Sequence, residues 1–169
     1  EVTIVEMSSQ IMSREDSDVI ELVKERFKKE KIKVLVNHKA ISFKSNKLIC
    51  DHKGKEKVIE FDQILLALGR SPNINGFGLS ELGVKIRNNG TIKANQFLQT
   101  NISNIFVCGD VTGPYQFTHT AAHQAWYATV NALFSPFKKF KVDYSIIPWT
   151  TFLDPEIARV GLNEKEAKE

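Results

Sequence analysis

NIFVCGDVTGPYQFTHTAAHQAWYATV, residues 104–130, is the stretch that decides the fold of this 169-residue chain. Residues 105–108 form a short apolar run that is typical of a buried strand in a parallel or mixed sheet, and Gly109 and Asp110 end it. A helix is then predicted to open at Thr118. The segment therefore predicts a strand, an acidic turn and a helix, an order that in open α/β sheets places a ligand at the strand's carboxyl end.

The residue types at this strand end indicate what kind of ligand it could hold. The carboxylate of Asp110 can accept hydrogen bonds from sugar or polyol hydroxyl groups. Gly109 lets a ligand approach the backbone closely, because it has no Cβ atom. Small alanines along the following helix allow that helix to lie near the same ligand. Together these features favour a cofactor whose chain carries hydroxyl groups.

Composition and charge argue against several classes of protein. The 23 Lys and Arg residues are interleaved with 20 Asp and Glu residues, and the net charge is +3, so nucleic-acid binding has little support. No apolar run approaches the roughly 18 residues that cross a membrane, and no signal peptide is visible. We therefore expect a cytoplasmic protein without membrane association. Cys50 and Cys108 are too far apart for a CxxC pair and form no disulfide framework.

The start of the chain predicts a β-α-β unit. Residues 2–6 and 33–37 are rich in β-branched residues, and the helix between them has Ser13 as its predicted N-cap. Glu6 then lies at the carboxyl end of the first strand. In a dinucleotide-binding fold, an acidic residue at the carboxyl end of the second strand hydrogen-bonds the adenosine ribose and repels a 2′-phosphate. If the strand of Glu6 is that second strand, NADH is the preferred nucleotide. A solvated glutamate at a strand end is the alternative, and no GxGxxG motif occurs in the sequence.

Turn residues and alternating patterns predict the remaining elements. In order, these elements are a meander of antiparallel strands over 39–60, a buried strand over 61–67, a hairpin with Asn89-Gly90 as its turn, a strand over 142–152 and a helix capped by Asn163 and Glu166.

Because the chain begins inside a strand and stops soon after a helix has started, we expect it to be an internal fragment of a longer protein.

Two short motifs carry a resemblance to a known family. Residues 106–110, FVCGD, resemble the second flavin-binding motif of the pyridine nucleotide-disulfide oxidoreductases, the family of dihydrolipoamide dehydrogenase, glutathione reductase and mercuric reductase. Residues 67–73, ALGRSPN, are similar to that family's alanine-threonine-glycine-arginine-x-proline-asparagine segment, with Leu68 in place of threonine. The two motifs stand in the family's order and at its distance. Residues 115–119 resemble the mercuric-reductase-like branch more than the usual dihydrolipoamide dehydrogenase sequence.

The resemblance implies an α/β fold. It would contain parts of two Rossmann-like, three-layer domains that bind FAD and NAD(P), with the β-meander as an accessory, and the start of an α+β dimerisation domain. The implied divisions are the later part of the NAD-binding domain in residues 1–68, the later part of the FAD-binding domain in 69–140, and the start of the interface domain in 141–169. A homodimer joined through that last domain is the implied assembly.

The resemblance also implies FAD and NAD as cofactors. Asp110 would hold the ribityl hydroxyl groups of FAD, and the start of the helix would stabilise negative charge on the flavin through its backbone N–H groups. Arg70 could face a phosphate, a carboxylate or nothing. The implied cofactor-binding residues are Glu6, Gly69, Arg70, Gly109, Asp110, Phe117, Thr118, His119 and Ala121.

No metal site and no catalytic residue are predicted in this chain. His119 and His123 have the spacing of a zinc-binding pair, but a third ligand and the glutamate of a zinc hydrolase are missing. The family's redox-active cysteine pair and its acid/base pair have no counterpart here, so the chain alone is expected to be inactive.

The implied reaction of the parent protein is hydride transfer from NAD(P)H to flavin, followed by electron transfer to a small-molecule disulfide or a metal ion. Two alternatives stay open. The first is a non-catalytic α/β module that binds an adenine nucleotide at the Glu6 strand end. The second is another branch of the same family, such as an NADH oxidase or a ferredoxin reductase.

Overall fold

A computed structural model describes all residues from Glu1 to Glu169. The chain divides into two compact units, of which one comprises residues 1–67 and 162–169 and the other residues 68–161. None of the helices has both the length and the apolar character needed to cross a lipid bilayer. The predicted division into three domains stays a prediction.

The first unit contains the predicted β-α-β arrangement. The strands β1 (Thr3–Val5) and β2 (Lys33–Leu35) pair in parallel, and α1 (Ser17–Lys29) connects them. Ile20 and Val23, three positions apart on α1, are its buried residues. This spacing puts both side chains on one face of the helix, as the apolar periodicity predicts.

The start of α1 corrects one prediction, because Ser13 is not its N-cap. The helix begins after Asp16. Residues before it form a turn in which the Glu15 N–H group donates to the Met12 carbonyl oxygen at 2.9 Å. Met12 has φ of 51°, which a right-handed helix cannot contain. The Asp16 carboxylate accepts a hydrogen bond from the Glu164 N–H group at 3.0 Å.

The predicted meander is confirmed as a three-stranded antiparallel sheet. Its strands are β3 (Lys39–Lys44), β4 (Lys47–His52) and β5 (Lys55–Glu60), in that order across the sheet. Ser45 and Asn46 form the first turn, with φ of 47° and 58°, as expected for a tight hairpin. The central strand β4 carries the buried residues of this sheet.

Residues 61–67 do not form the predicted buried strand. They belong to no strand, and the side chains of Leu65 and Leu66 are 91% and 52% exposed. A continuous apolar run of this kind is typical of a strand that is covered on both faces of a parallel sheet. Such a strand needs hydrogen-bonding neighbours at its sides, and the sheets of this structure do not include it.

The second unit has a core made of two small clusters. The predicted hairpin is present as a tight turn in which Ile86 and Ile92 form an antiparallel bridge. The buried members of the clusters are Val84, Ile92 and Val107 in the first and Leu98, Ala128 and Val142 in the second.

The segment 105–108 is a single bridge rather than the predicted parallel or mixed strand. Phe106 pairs with Gln99 in antiparallel orientation. The Val107 N–H group donates to the Leu98 carbonyl oxygen at 2.9 Å. The prediction fails because the neighbour of this segment is the stretch of chain immediately before it, which returns in the opposite direction.

The helix after this segment follows the prediction. It is α2 (Thr118–Phe134), and Ser135 is its C-cap. The predicted strand over 142–152 is shorter, because only β6 (Trp149–Thr151) is extended and paired, in antiparallel orientation, with β7 (Ile157–Arg159).

The last helix belongs to the first unit. It is α3 (Glu164–Lys168), and the predicted capping box is confirmed. The Glu166 N–H group donates to Asn163 Oδ1 at 2.7 Å, while Glu166 Oε2 accepts from the Asn163 N–H group at 2.9 Å.

Candidate functional site

Gly109 opens a tight turn that lies against α2. Its φ is 82°, a backbone conformation that favours glycine. Its carbonyl oxygen accepts hydrogen bonds from the N–H groups of Thr112 at 3.0 Å and Gly113 at 3.2 Å. A Cβ atom added to Gly109 would lie 3.4 Å from the Cβ atom of Ala121. The structure therefore brings these two predicted residues together, and the turn approaches the helix because both residues are small.

Gln124 holds this turn, although it was not among the predicted site residues. The Gly109 N–H group donates to Gln124 Oε1 at 2.5 Å. The Gln124 side-chain nitrogen donates to the Gly113 carbonyl oxygen at 2.7 Å and to the Tyr144 hydroxyl at 2.9 Å. Gln124 is fully buried. One side chain thus fixes both ends of the turn that carries Asp110.

Buried polar residues along α2 are the signal that could have revealed this role. Thr120, Gln124 and Asn131 are all 0% exposed, and a buried amide must find hydrogen-bond partners. The Asn131 side chain donates to the carbonyl oxygens of Phe97 at 3.0 Å and Phe140 at 2.8 Å. The buried Thr120 Oγ1 atom has no hydrogen-bond partner. Polar contacts to neighbouring loops therefore tether this face of α2.

The N-terminus of α2 carries no side-chain cap. Phe117 is the N-cap residue, with φ of −125° and ψ of 143°, and the first turn contains no acidic residue. The backbone N–H groups at the start of a helix have no partner within it, and the helix dipole makes this end positive. Thr118, the first helical residue, and His119 are exposed. This end of α2 therefore offers N–H donors and positive charge to a bound group.

Arg70 and Asp110 form an ion pair in the second unit. Their closest atoms, Arg70 Nη1 and Asp110 Oδ2, are 3.6 Å apart, and the two side chains are 70% and 45% exposed. Arg70 was predicted to face a phosphate, a carboxylate or nothing, and in this structure it faces the Asp110 carboxylate. Gly69, just before it, has φ of 107°. An exposed pair of this kind contributes at most about 1 kcal/mol, so the Asp110 carboxylate is available to other hydrogen-bond donors.

The two histidines of α2 do not converge on a common point. His119 Nε2 lies 2.7 Å from the Pro148 carbonyl oxygen, and His123 Nε2 lies 2.8 Å from the Asp143 carbonyl oxygen. Because a carbonyl oxygen only accepts, each Nε2 atom carries a hydrogen and donates it. The His119 ring also stacks on Phe117, with ring centroids 5.4 Å apart. These imidazoles link α2 to the segment that precedes β6.

Glu6 lies at the carboxyl end of β1, as predicted, in the first unit. Its backbone extends the pairing with the region of β2, because the Glu6 N–H group donates to the Leu35 carbonyl oxygen at 2.9 Å. Its carboxylate accepts the Ser8 N–H group at 2.6 Å. This hydrogen bond lowers the pKa of the Glu6 carboxyl group below its usual range. The side chain is therefore ionised at neutral pH.

The two cysteines are unpaired thiols. Cys50 is fully buried, and burial raises the pKa of its thiol, which is the environment of an unreactive core residue. Cys108 is partly buried and packs against the cluster of Leu98, Ala128 and Val142, in agreement with its predicted core role. No group of three or more His, Cys, Asp or Glu side chains is placed to hold a metal ion.

Comparisons with known sequences give a consistent result. A family model described as pyridine nucleotide-disulphide oxidoreductase matches residues 1–125. Mercuric reductase of Staphylococcus aureus is 35% identical over 173 residues, which cover 100% of this chain and 31% of that protein. A dihydrolipoyl dehydrogenase of Buchnera aphidicola subsp. Schizaphis graminum is 38% identical over 99% of this chain and 36% of its own length. The chain thus spans about a third of the length of these curated relatives.

Solved structures show the same likeness. The HOCl-induced flavoprotein disulfide reductase RclA from Escherichia coli superposes with a TM-score of 0.78 and 26% identity, over 99% of this chain and 38% of that chain. LpdA from Mycobacterium tuberculosis superposes with a TM-score of 0.83 over 97% of this chain and 36% of that chain. Because LpdA is 24% identical to this chain, the comparison with LpdA shows a similar fold only.

Proposed function

Because this chain belongs to the pyridine nucleotide-disulphide oxidoreductase family, we propose that the whole protein is an FAD-dependent oxidoreductase that transfers electrons from NAD(P)H to a disulfide or metal-ion acceptor. The observation that carries the proposal is the turn of Gly109 and Asp110, which lies against the uncapped helix α2. Mercuric reductase and dihydrolipoyl dehydrogenase are similar to this chain to nearly the same degree, so both classes of acceptor belong to the proposal.

The residues of the second unit fit an FAD group. Asp110 can accept hydrogen bonds from the ribityl hydroxyl groups, and Gly109 leaves space for the ligand to approach the backbone. The start of α2 offers unpaired N–H donors and the positive end of the helix dipole. Bound FAD would supply the two-electron chemistry that links the nicotinamide to the acceptor.

The first unit supplies the proposed nicotinamide-nucleotide site. The ionised carboxylate of Glu6 at the end of β1 can accept hydrogen bonds from the adenosine ribose, and its charge repels the 2′-phosphate of NADPH. The Ser8 N–H group binds Glu6 Oε1, and the Ser8 side chain also hydrogen-bonds the carboxylate, so the charge of Glu6 is held at the end of β1. We therefore propose NADH as the preferred electron donor.

The finer organisation of the protein is also part of the proposal. Residues 1–68 would belong to an NAD-binding domain, 69–140 to an FAD-binding domain and 141–169 to the start of an interface domain that joins two subunits. The antiparallel pair of β6 and β7 supports an α+β character for that third part. Sedimentation equilibrium of the whole protein tests the homodimer, and a monomeric mass would contradict it.

The visible absorption spectrum of the purified whole protein, before and after anaerobic addition of NADH, tests the proposed activity. We expect a flavin spectrum that NADH bleaches, with a long-wavelength charge-transfer band from a thiolate beside the flavin. Reoxidation by a small disulfide or by mercuric ion then identifies the acceptor. A colourless protein that binds NADH would instead support the non-catalytic nucleotide-binding module.

Glu6→Gln is expected to lower the preference for NADH over NADPH about 10-fold, measured as the ratio of their kcat/KM values. Glutamine keeps the size of the side chain and an acceptor for the Ser8 N–H group, but it removes the charge that repels a 2′-phosphate. Glu60→Gln is the control, because Glu60 is an exposed carboxylate at the end of β5. An unchanged ratio in the Glu6 variant would contradict the ribose role.

The pH dependence of NADH binding follows from the charge of Glu6. The Glu6 carboxyl group has a lowered pKa, so it remains charged until the pH falls below the usual range for glutamate. NADH lacks the 2′-phosphate, which in NADPH itself titrates at about pH 6, so the KM for NADH should be constant between pH 8 and about pH 5. A rise in the KM for NADH within this range would contradict the proposed role of Glu6.

A further inference from the structure

Two histidines of the first unit form a stacked pair that the proposed function does not use. The ring centroids of His38 and His52 are 4.2 Å apart, with an angle of 27° between the ring planes. His38 follows β2 and precedes the meander, whereas His52 is the last residue of the central strand β4. Both side chains are partly buried.

Backbone hydrogen bonds decide which nitrogen of each ring carries the hydrogen. His38 Nδ1 lies 2.7 Å from the Val36 carbonyl oxygen, and His52 Nδ1 lies 3.1 Å from the Asn37 carbonyl oxygen. A carbonyl oxygen only accepts, so Nδ1 is the donor in both rings. In each neutral ring the lone pair is therefore on Nε2.

The same contacts orient the two lone pairs. The two acceptors are carbonyl oxygens of consecutive residues, Val36 and Asn37, so both Nδ1 atoms point towards one short turn. Nε2 is on the far side of an imidazole ring from Nδ1, so both lone pairs point away from that turn. Because the rings are stacked, the two Nε2 atoms are neighbours.

The backbone on both sides of the pair is held in place. The His38 N–H group donates to the Glu6 carbonyl oxygen at 2.9 Å, and the Asn37 N–H group donates to the Ser8 carbonyl oxygen at 2.8 Å. His52 is paired with Lys55 of β5 in the antiparallel ladder. The relative position of the rings is therefore set by two hydrogen-bonded sheets rather than by a free loop.

We propose that His38 and His52 bind one divalent transition-metal ion through their Nε2 atoms. Imidazole nitrogen suits zinc, nickel and copper ions. A ligating histidine usually donates its other ring N–H to a carbonyl or carboxylate, which fixes the tautomer, and both rings have this arrangement. Since no third His, Cys, Asp or Glu side chain is grouped with them, water fills the remaining positions and the metal ion exchanges.

The histidines of the second unit provide an internal control. His123 donates from Nε2 to the Asp143 carbonyl oxygen at 2.8 Å, and it stacks on no other histidine. Its ring contacts Tyr127 in an edge-on arrangement, with centroids 5.0 Å apart. A single ring whose Nε2 is already a donor is not expected to contribute to the metal affinity.

Nickel titration calorimetry on the whole protein tests the site, with His38→Asn and His52→Asn as the variants. The Asn side-chain nitrogen can replace Nδ1 as donor to the backbone, whereas the Nε2 ligand is lost. Nickel is the probe because cupric ions oxidise thiols such as Cys50 and Cys108. We expect a site with micromolar affinity in the wild type and at least about a 10-fold weaker affinity in each variant. The control His123→Gln should keep the wild-type affinity.

A second readout uses only the wild-type protein and does not depend on the folding of a variant. On titration with zinc, the Cε1–H proton resonances of His38 and His52 should shift, while those of His119 and His123 should not. The proposal is overturned if nickel binds no tighter than millimolar, if both Asn variants keep the wild-type affinity, or if zinc moves only the resonances of the α2 histidines.

Discussion

Gln124→Met is expected to lower the free energy of unfolding by about 3 kcal/mol and to weaken flavin binding in the whole protein. Methionine has nearly the same volume, but it leaves the Gly109 N–H group, the Gly113 carbonyl oxygen and the Tyr144 hydroxyl without the partner that Gln124 provides. Buried polar groups without partners are costly. The turn that carries Asp110 would then lose its connection to α2.

Urea unfolding and the flavin content of the purified protein measure this effect. Asn131→Leu is a matched control, because Asn131 is also fully buried and bonds both the N–H and the carbonyl oxygen of Phe140. It should lose similar stability but keep its flavin, since it does not contact the Gly109 turn. The Gln124→Glu variant should have a flavin content between those of the wild-type protein and the Gln124→Met variant. Its carboxylate can accept from the Gly109 N–H group but cannot donate to the Gly113 carbonyl oxygen. Equal flavin content in the Gln124→Met and Asn131→Leu variants would contradict a positioning role.

Asp110→Ala is expected to weaken the binding of FAD about 10- to 100-fold, which corresponds to the loss of one or two hydrogen bonds to a charged acceptor. Stability in the absence of flavin should change by less than about 1 kcal/mol. The carboxylate pairs with Arg70 at 3.6 Å, the two side chains are 70% and 45% exposed, and such pairs contribute little. The predicted signature is therefore a loss of cofactor without a loss of fold.

Fluorescence titration of the apoprotein with FAD measures the affinity directly. Asp62→Ala is the control, because Asp62 is an exposed carboxylate in the first unit. Arg70→Ala removes the same ion pair but keeps the Asp110 carboxylate, so its effect on FAD binding should be smaller than that of Asp110→Ala. An Asp110→Ala protein that purifies with full flavin content and an unchanged spectrum would contradict the proposed binding of FAD by Asp110.

The parts of the fold that follow from local sequence were predictable. The meander, the helix α2 and the capping box of Asn163 and Glu166 all depend on residues within a few positions of one another. Turn residues, apolar periodicity and caps act over that distance. The motifs around Asp110 and Arg70 also identified the family, because their residue types and spacing can be seen without a structure.

Tertiary structure decided what depends on contacts between distant residues. The apolar run 61–67 had the composition of a buried strand, yet no strand of the structure pairs with it, because sheet formation requires a neighbour that local sequence does not specify. Gln124 gained its role from the Gly109 turn and Tyr144, 11 to 20 positions away along the chain. The sequence by itself determined the meander, α2, the capping box of the last helix and the family. Only the fold decided these contacts, because hydrogen bonds and stacking depend on distance in space rather than on separation along the chain.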